Sequence, residues 1–261
     1  GDRNDIECIL KLQNNKYDVI YDISGREVEQ TKLLIDNVAD SFQRYIYVSS
    51  AGVYSENYEL PLSEDSLLDP QSRHKGKFET ENWLIEQKIP FTSFRPTYIY
   101  GPGNYNKIEN WFFERLFQLK KIPIPGDGSL ITQLGHVSDL SDVMIKCLDF
   151  EKSKNSIYNC SGEKGITIKG LIYMCAEVCG LKKNDISLNK FDFEKLDPKS
   201  RKGFPIRLNH YQTDISKIKN DLNWEPKFDL ISGLKDSFSK DYQFKKDFEF
   251  DRNSDSVLFN S

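Results

Sequence analysis

No stretch of the chain approaches the roughly 18 apolar residues that a membrane-crossing helix needs, which excludes a transmembrane role. Neither sign of charge dominates. Thirty-six Lys plus Arg stand against 40 Asp plus Glu, a formal net charge of −4. That balance argues against a generic polyanion binder and leaves a local basic patch open. Cysteine is scarce: Cys8, Cys147, Cys160, Cys175 and Cys179 make an odd number without a CxxC pair. The pattern speaks for reduced, buried thiols in a cytosol-like compartment, and against a disulfide framework or a thiolate metal site. The start, Gly1-Asp2-Arg3-Asn4-Asp5, is polar and lacks the apolar core of a signal peptide. Internal repeats and low-complexity tracts are absent. What is present is ordinary for a globular protein: 38% hydrophobic and 29% charged residues over 261 positions, enough for one large domain or two lobes.

Two kinds of segment alternate. Residues 17–23, 45–49, 91–95 and 157–160 read as β-strands, the third stopped by Pro96. Residues 27–39, 75–88 and 139–150 carry apolar positions at helical spacing. The alternation predicts parallel crossovers and an α/β fold with a doubly wound parallel sheet. Residues 102–132 break that rhythm with Gly, Pro and aromatic clusters around a helix at 109–120, and 166–240 hold shorter elements, with a helix from Leu230. The expected division is therefore 1–165 for the sheet domain, with 102–132 contributing to a second lobe. Residues 166–240 form the smaller C-terminal lobe, and 241–261 a flexible tail.

Several motifs recur in a fixed order. They are Val48-Ser49-Ser50-Ala51-Gly52-Val53-Tyr54, Lys77 with Glu81, Arg95-Pro96-Thr97-Tyr98-Ile99-Tyr100-Gly101-Pro102, Gly126-Asp127-Gly128, Val137-Ser138-Asp139-Leu140, Tyr158-Asn159 and Leu222-Asn223-Trp224-Glu225-Pro226. The set resembles the extended short-chain dehydrogenase/reductase superfamily of sugar-nucleotide epimerases and dehydratases, and implies a partial Rossmann-like fold with a substrate-type lobe. More closely, the run from Ser72 to Glu81, with Gly103-Asn104-Tyr105-Asn106, Trp111-Phe112-Phe113 and the segment from Leu230 to Phe238, resembles the chloroplast stem-loop-binding protein family and its cyanobacterial relatives. That resemblance implies RNA binding, an endoribonuclease activity in some members, and a cyanobacterial cytosol or chloroplast stroma. It also implies Ser50 and Lys77 as the catalytic remnant, and Asp2, Lys77, Pro96 and Tyr98 as the cofactor-side residues.

Three departures bear on chemistry. The Gly-rich turn that brings a pyrophosphate to a helix N-terminus is missing from residues 1–40. By the resemblance the chain starts about 60 residues late, two βα units of roughly 30 residues each. No cofactor is expected for this chain, and NAD(P) stays open for a longer parent. The reductase Tyr expected four residues before Lys77 is Arg73, and a guanidinium cannot serve as the base. Tyr54 and Tyr98 are the candidate substitutes. The Arg expected after Gly-Asp-Gly is Thr132, while Arg207 resembles a second phosphate-binding Arg. An active epimerase or dehydratase is the competing reading, and Arg73 and Thr132 weigh against it.

Local charge is uneven. Arg73, His74, Lys75 and Lys77 fall within five residues, and Lys199, Arg201, Lys202 and Arg207 within nine. The two clusters are expected to line one groove and meet RNA phosphates, with Tyr54, Tyr98, Tyr100 and Tyr105 stacking unpaired bases. Two solvated basic faces are the plain alternative. His136 and His210 read as packing residues, and Asp192, Glu194 and Asp197 as a solvated acidic loop, not a Mg²⁺ site. An exposed edge at 17–23 predicts self-association.

Overall fold

A computed structural model describes residues 1–13, 15–38, 42–56, 59–242 and 257–259. The chain divides into two compact units. The first comprises Gly1–Thr97, Leu140–Cys160 and Thr213–Glu225, and the second Tyr98–Asp139, Ser161–Gln212 and Pro226–Ser261. Most of the expected tail over 241–261 lies outside the described residues.

The first unit is built on a parallel sheet of β1 (Val19–Asp22), β2 (Arg44–Val48), β3 (Phe91–Pro96) and β8 (Ser156–Cys160), in the order β1-β2-β3-β8. Every residue of β2 and β3 is buried, as in central strands covered on both faces. β3 does not stop before Pro96. Pro96 stands opposite Cys160 in the ladder with β8, because a proline at a strand end gives up one donor without breaking the register. β1 pairs on one side alone among the described residues and leaves Tyr21 exposed. Two crossover helices, α2 (Val28–Val38) and α3 (Lys75–Glu86), follow β1 and β2, and Ile35 and Leu84 pack with Tyr45, Tyr47 and Phe91. α1 (Ile6–Leu10) precedes β1. α5 (Val137–Lys146) is shorter than its apolar pattern suggests and passes into single 3₁₀ turns at Cys147–Asp149 and Glu151–Ser153. α8 (Ser216–Leu222) ends on Asn223 in the left-handed conformation. Trp224 follows, buried, with its indole N–H on Asp142 Oδ2 at 3.1 Å, which accounts for one of the sequence landmarks.

The second unit holds three two-stranded pairs. β4 (Tyr98–Tyr100) runs parallel to β7 (Leu134–His136), β5 (Lys121–Pro125) parallel to β10 (Ser187–Phe191), and β6 (Ile131–Thr132) antiparallel to β9 (Ile166–Thr167). Its core is assembled from α4 (Glu109–Gln118), α6 (Ile168–Val178) and α9 (Leu230–Ser237), through Phe112, Phe113, Leu116, Leu171, Ile172 and Leu234. Side-chain caps fix the helix starts: Thr167 accepts from Gly170 N–H, and Asp229 from Ser232 N–H. The short α7 (Pro198–Arg201) is capped in the same way by Asp197.

Candidate functional site

The family-motif residues of the first unit gather at the carboxyl ends of β1, β2 and β3. Lys77, in the first turn of α3, points inward. Its ammonium donates to Gly25 O at 2.5 Å and Val48 O at 2.6 Å, and lies 5.0 Å from the Tyr47 ring centre. Burial is the largest influence on this amine and lowers its pKa to about 8. Two close approaches make this seat possible. A Cβ on Gly25 would stand 2.5 Å from Asp22 Oδ2, and one on Gly76 would stand 2.4 Å from Arg26 O. Only glycines let the start of α3 settle on the turn after β1.

Asp22 anchors that turn. It accepts from Arg3 through both oxygens (2.5 and 3.0 Å), from Tyr45 OH (2.6 Å), Thr31 Oγ1 (3.1 Å) and Gly25 N–H (2.8 Å). Burial alone would raise the carboxyl pKa, but these donors together hold it below its ordinary value.

Glu81, one turn after Lys77 on α3, meets Arg95 of β3 in a buried ion pair at 2.7 Å and also accepts from Ser93 Oγ at 2.7 Å. The Arg95 guanidinium continues to Tyr54 OH (3.1 Å) and Glu64 O (3.2 Å), and Tyr54 donates to Asn159 Oδ1 at 2.7 Å. Burial pushes the Tyr54 hydroxyl up to about 12, with Arg95 opposing. Tyr54 is therefore a structural strut, poorly suited to exchange protons near neutral pH. The pairing of Glu81 with Arg95 was missing from the sequence reading. Its signal is a lone charged residue in an otherwise uncharged strand, which requires a partner once the strand is buried.

The remaining predicted residues divide by exposure. Ser50 Oγ accepts from Gly52 N–H at 3.0 Å and caps the 3₁₀ turn Ala51–Val53. Arg73 is exposed in the turn ahead of α3, so no helical turn connects it to Lys77. Its Nε donates to His74 Nε2 at 3.0 Å. Lys75 is exposed as the first residue of α3. Asp2 is exposed and turned to its own chain, accepting from Asn4 N–H at 2.9 Å, while Pro96 is buried in β3.

In the second unit, Tyr98 is half-buried with its hydroxyl accepting from Arg207 N–H at 2.7 Å. The Arg207 guanidinium lies 4.6 Å from the Tyr211 ring centre. Arg201 is held by Leu196 O (2.9 Å) and Glu194 O (3.1 Å), while Lys199 and Lys202 are exposed beside it. Tyr100 is buried, whereas Tyr105 is 85% exposed. Tyr105 stands on a turn fixed by Asn104, which donates to Ile99 O (2.9 Å) and accepts from Asn106 N–H (3.0 Å). Asp192 pairs with Lys195 at 2.9 Å and Asp197 caps α7, and among the described residues no cluster could hold a metal ion.

The comparisons with known proteins follow this geometry. Residues 16–161 match the NAD dependent epimerase/dehydratase family. The chain belongs to that family. It is 42% identical over 257 residues to the chloroplast stem-loop binding protein of 41 kDa b of Arabidopsis thaliana, covering 96% of this chain and 66% of that protein. It is 26% identical over 203 residues to a UDP-glucuronate 4-epimerase of Thermodesulfobacterium geofontis, covering 74% of this chain and 57% of that protein. Among solved structures, the UDP-glucose 4-epimerase of Thermotoga maritima superposes with a TM-score of 0.75 at 20% identity, over 92% of this chain and 82% of that one. The Rossmann-like α/β fold is thereby shown. Among the described residues no helix is long and apolar enough to cross a membrane.

Family membership raises the question of a dinucleotide, and the turn between β1 and α2 does not offer a seat for its pyrophosphate. A pyrophosphate needs free backbone N–H groups at a helix start. In the turn between β1 and α2, Gly25 N–H is occupied by Asp22, and those of Arg26 (2.8 Å) and Glu27 (3.3 Å) by Gln30 Oε1. Two of the three Lys77 donors are held by backbone carbonyls.

Proposed function

We propose that this chain binds stem-loop RNA, and that its family fold serves as a scaffold without the family's redox step. The observation that carries the reading is the 42% identity, across 96% of the chain, to a protein named for stem-loop binding. The residues at the former reaction centre support it. Arg73 replaces the acid/base, Lys77 is tied to two carbonyls, and Tyr54 is held between Arg95 and Asn159. Arg73 and Lys75 offer exposed positive charge ahead of α3, and Lys199 and Lys202 do so around α7. The exposed ring of Tyr105 is the best placed of the four candidate tyrosines to stack an unpaired base. The reading is binding, not cleavage, because no cluster of these residues supplies a base, an acid and a phosphate clamp together.

The test is a filter-binding titration with a stem-loop RNA over a salt series, with the RNA checked for integrity afterwards. Expected are an affinity that falls linearly on a log–log plot against salt, and intact RNA. Calorimetry with NAD⁺ and NADP⁺, and a panel of UDP-, GDP- and dTDP-sugars, complete it. Low-micromolar dinucleotide binding or enzyme-dependent sugar turnover would overturn the reading.

A further inference from the structure

The end of α4 carries a feature that the RNA reading has not used. Phe117, the next-to-last residue of the helix, is 49% exposed, whereas Glu109 to Leu116 ahead of it are buried. Its ring is nearly parallel to Phe238 (5.8 Å between centres, 7°) and to Tyr242 (5.5 Å, 23°). Those two rings are themselves 5.4 Å apart at 25°, because a wide π-turn over Phe238–Tyr242 sets them on one side. Phe113 closes the cluster from below, edge-on to Phe238. The result is a rigid aromatic platform with part of one ring open to solvent.

Charges of both signs border the platform, with Asp241 inside the π-turn and lysines at the end of α4. The helix runs out through Gln118 and Leu119 into Lys120 and Lys121, with no acidic residue in that run. Lys240, in the π-turn, is paired with Asp236 at 2.7 Å. Lys120 adopts φ 49°, the left-handed conformation at which helices usually take glycine. Its N–H reaches Arg115 O at 3.1 Å, and its carbonyl accepts from Ser187 N–H at 2.8 Å, so the strained backbone is held on both sides.

We propose that Phe117 and Lys120 form a second RNA contact within the second unit, where an unpaired base stacks on Phe117 and its phosphate meets the Lys120 ammonium. This inference rests on the RNA reading above. The occupant fits because a flat, partly desolvated ring takes any base by stacking, and a lysine three residues further along the chain offers a charge for the phosphate. A second copy of the chain would bring its own cationic rim to the same place.

Two variants test it, against a stem-loop RNA and against the same stem without its loop. Phe117→Leu keeps an apolar side chain on Phe238 and Tyr242 but removes the stacking face. It should weaken binding of the looped RNA about five- to tenfold, leave the duplex unchanged, and leave the salt dependence as it was. Lys120→Gly removes the charge and the strain together. It should raise the melting temperature while weakening both RNAs and lowering the salt slope by about 0.7–0.9. A better-folded protein that binds less cannot be explained by unfolding. If wild type binds, the Arg73→Ala/Lys75→Ala variant binds less, and both new variants match wild type, the platform is not an RNA contact and the general reading stands. A Phe117→Leu variant that changes elution in size-exclusion chromatography but not RNA affinity assigns the surface to self-association and overturns the proposal. If wild type binds no RNA, both readings fall together.

Discussion

Lys77 and Lys75 sit two residues apart at the start of α3 and live in opposite environments. Lys77 is buried, with backbone carbonyls on its ammonium, and Lys75 projects into solvent. Arg95 and Arg73 repeat the contrast: one guanidinium is enclosed by Glu81, Tyr54 and Glu64, and the other lies in an exposed turn. The inner set belongs to the family's motifs and now holds the strand ends together. The outer set is available to a partner. The same residue types are therefore tied into the structure on one side of a helix turn and open to solvent on the other.

That contrast breaks most visibly if the inner set proves dispensable. Glu81→Gln leaves Arg95 buried with a poorer partner and should cost about 3–5 kcal/mol in urea unfolding. A loss below about 1 kcal/mol would mean that the pair is not structural. Lys77 gives a pH signature. Its folded pKa of about 8 lies below the ordinary lysine value of 10.5, so above pH 8 the folded state releases a proton that the unfolded state retains. The cost of burying the charge is present below pH 8 and is relieved as pH rises. Stability should increase by about 2 kcal/mol between pH 7.5 and 9.5, and Lys77→Met should flatten that rise. Equal pH profiles for the two proteins would count against the buried, charged seat.

Much of the architecture was legible in the sequence. The four parallel strands coincide with apolar β-rich runs, and α3 with the pattern from residue 75, because period and burial are local properties. The misjudged boundaries are those that tertiary structure decides. Pro96 continues a strand because its partner Cys160 tolerates the missing donor, and α5 gives way to 3₁₀ turns after Lys146. The site was legible by residue type and not by environment. Nothing in the spacing of Tyr54, Tyr98, Tyr100 and Tyr105 distinguishes three tied or buried phenols from one exposed ring. Likewise, Arg201 and Lys202 look alike in sequence, yet the Arg201 guanidinium is held by the carbonyls of Leu196 and Glu194.

Smaller effects sharpen the outer half of the comparison. Tyr105→Ala should weaken looped RNA about fivefold, roughly 1 kcal/mol, without altering stability or duplex binding. Tyr98→Ala should instead lower the melting temperature, because it removes the acceptor of Arg207 N–H. If Tyr98→Ala changes RNA binding alone and Tyr105→Ala changes stability alone, their assigned roles are reversed. Replacing Arg201 should reduce the salt slope less than replacing Lys202, since two of its donors are already occupied.

Equilibrium binding of a stem-loop RNA across a salt series, on wild type and on Arg73→Ala/Lys75→Ala, tests the central claim most directly. Each phosphate contact adds about 0.7–0.9 to the slope of log affinity against log salt. The double variant should therefore fold as wild type does, bind about tenfold more weakly at low salt, and lose about 1.4–1.8 from that slope. Equal affinity and equal slope for the two proteins would contradict the assignment of the exposed residues ahead of α3 to RNA.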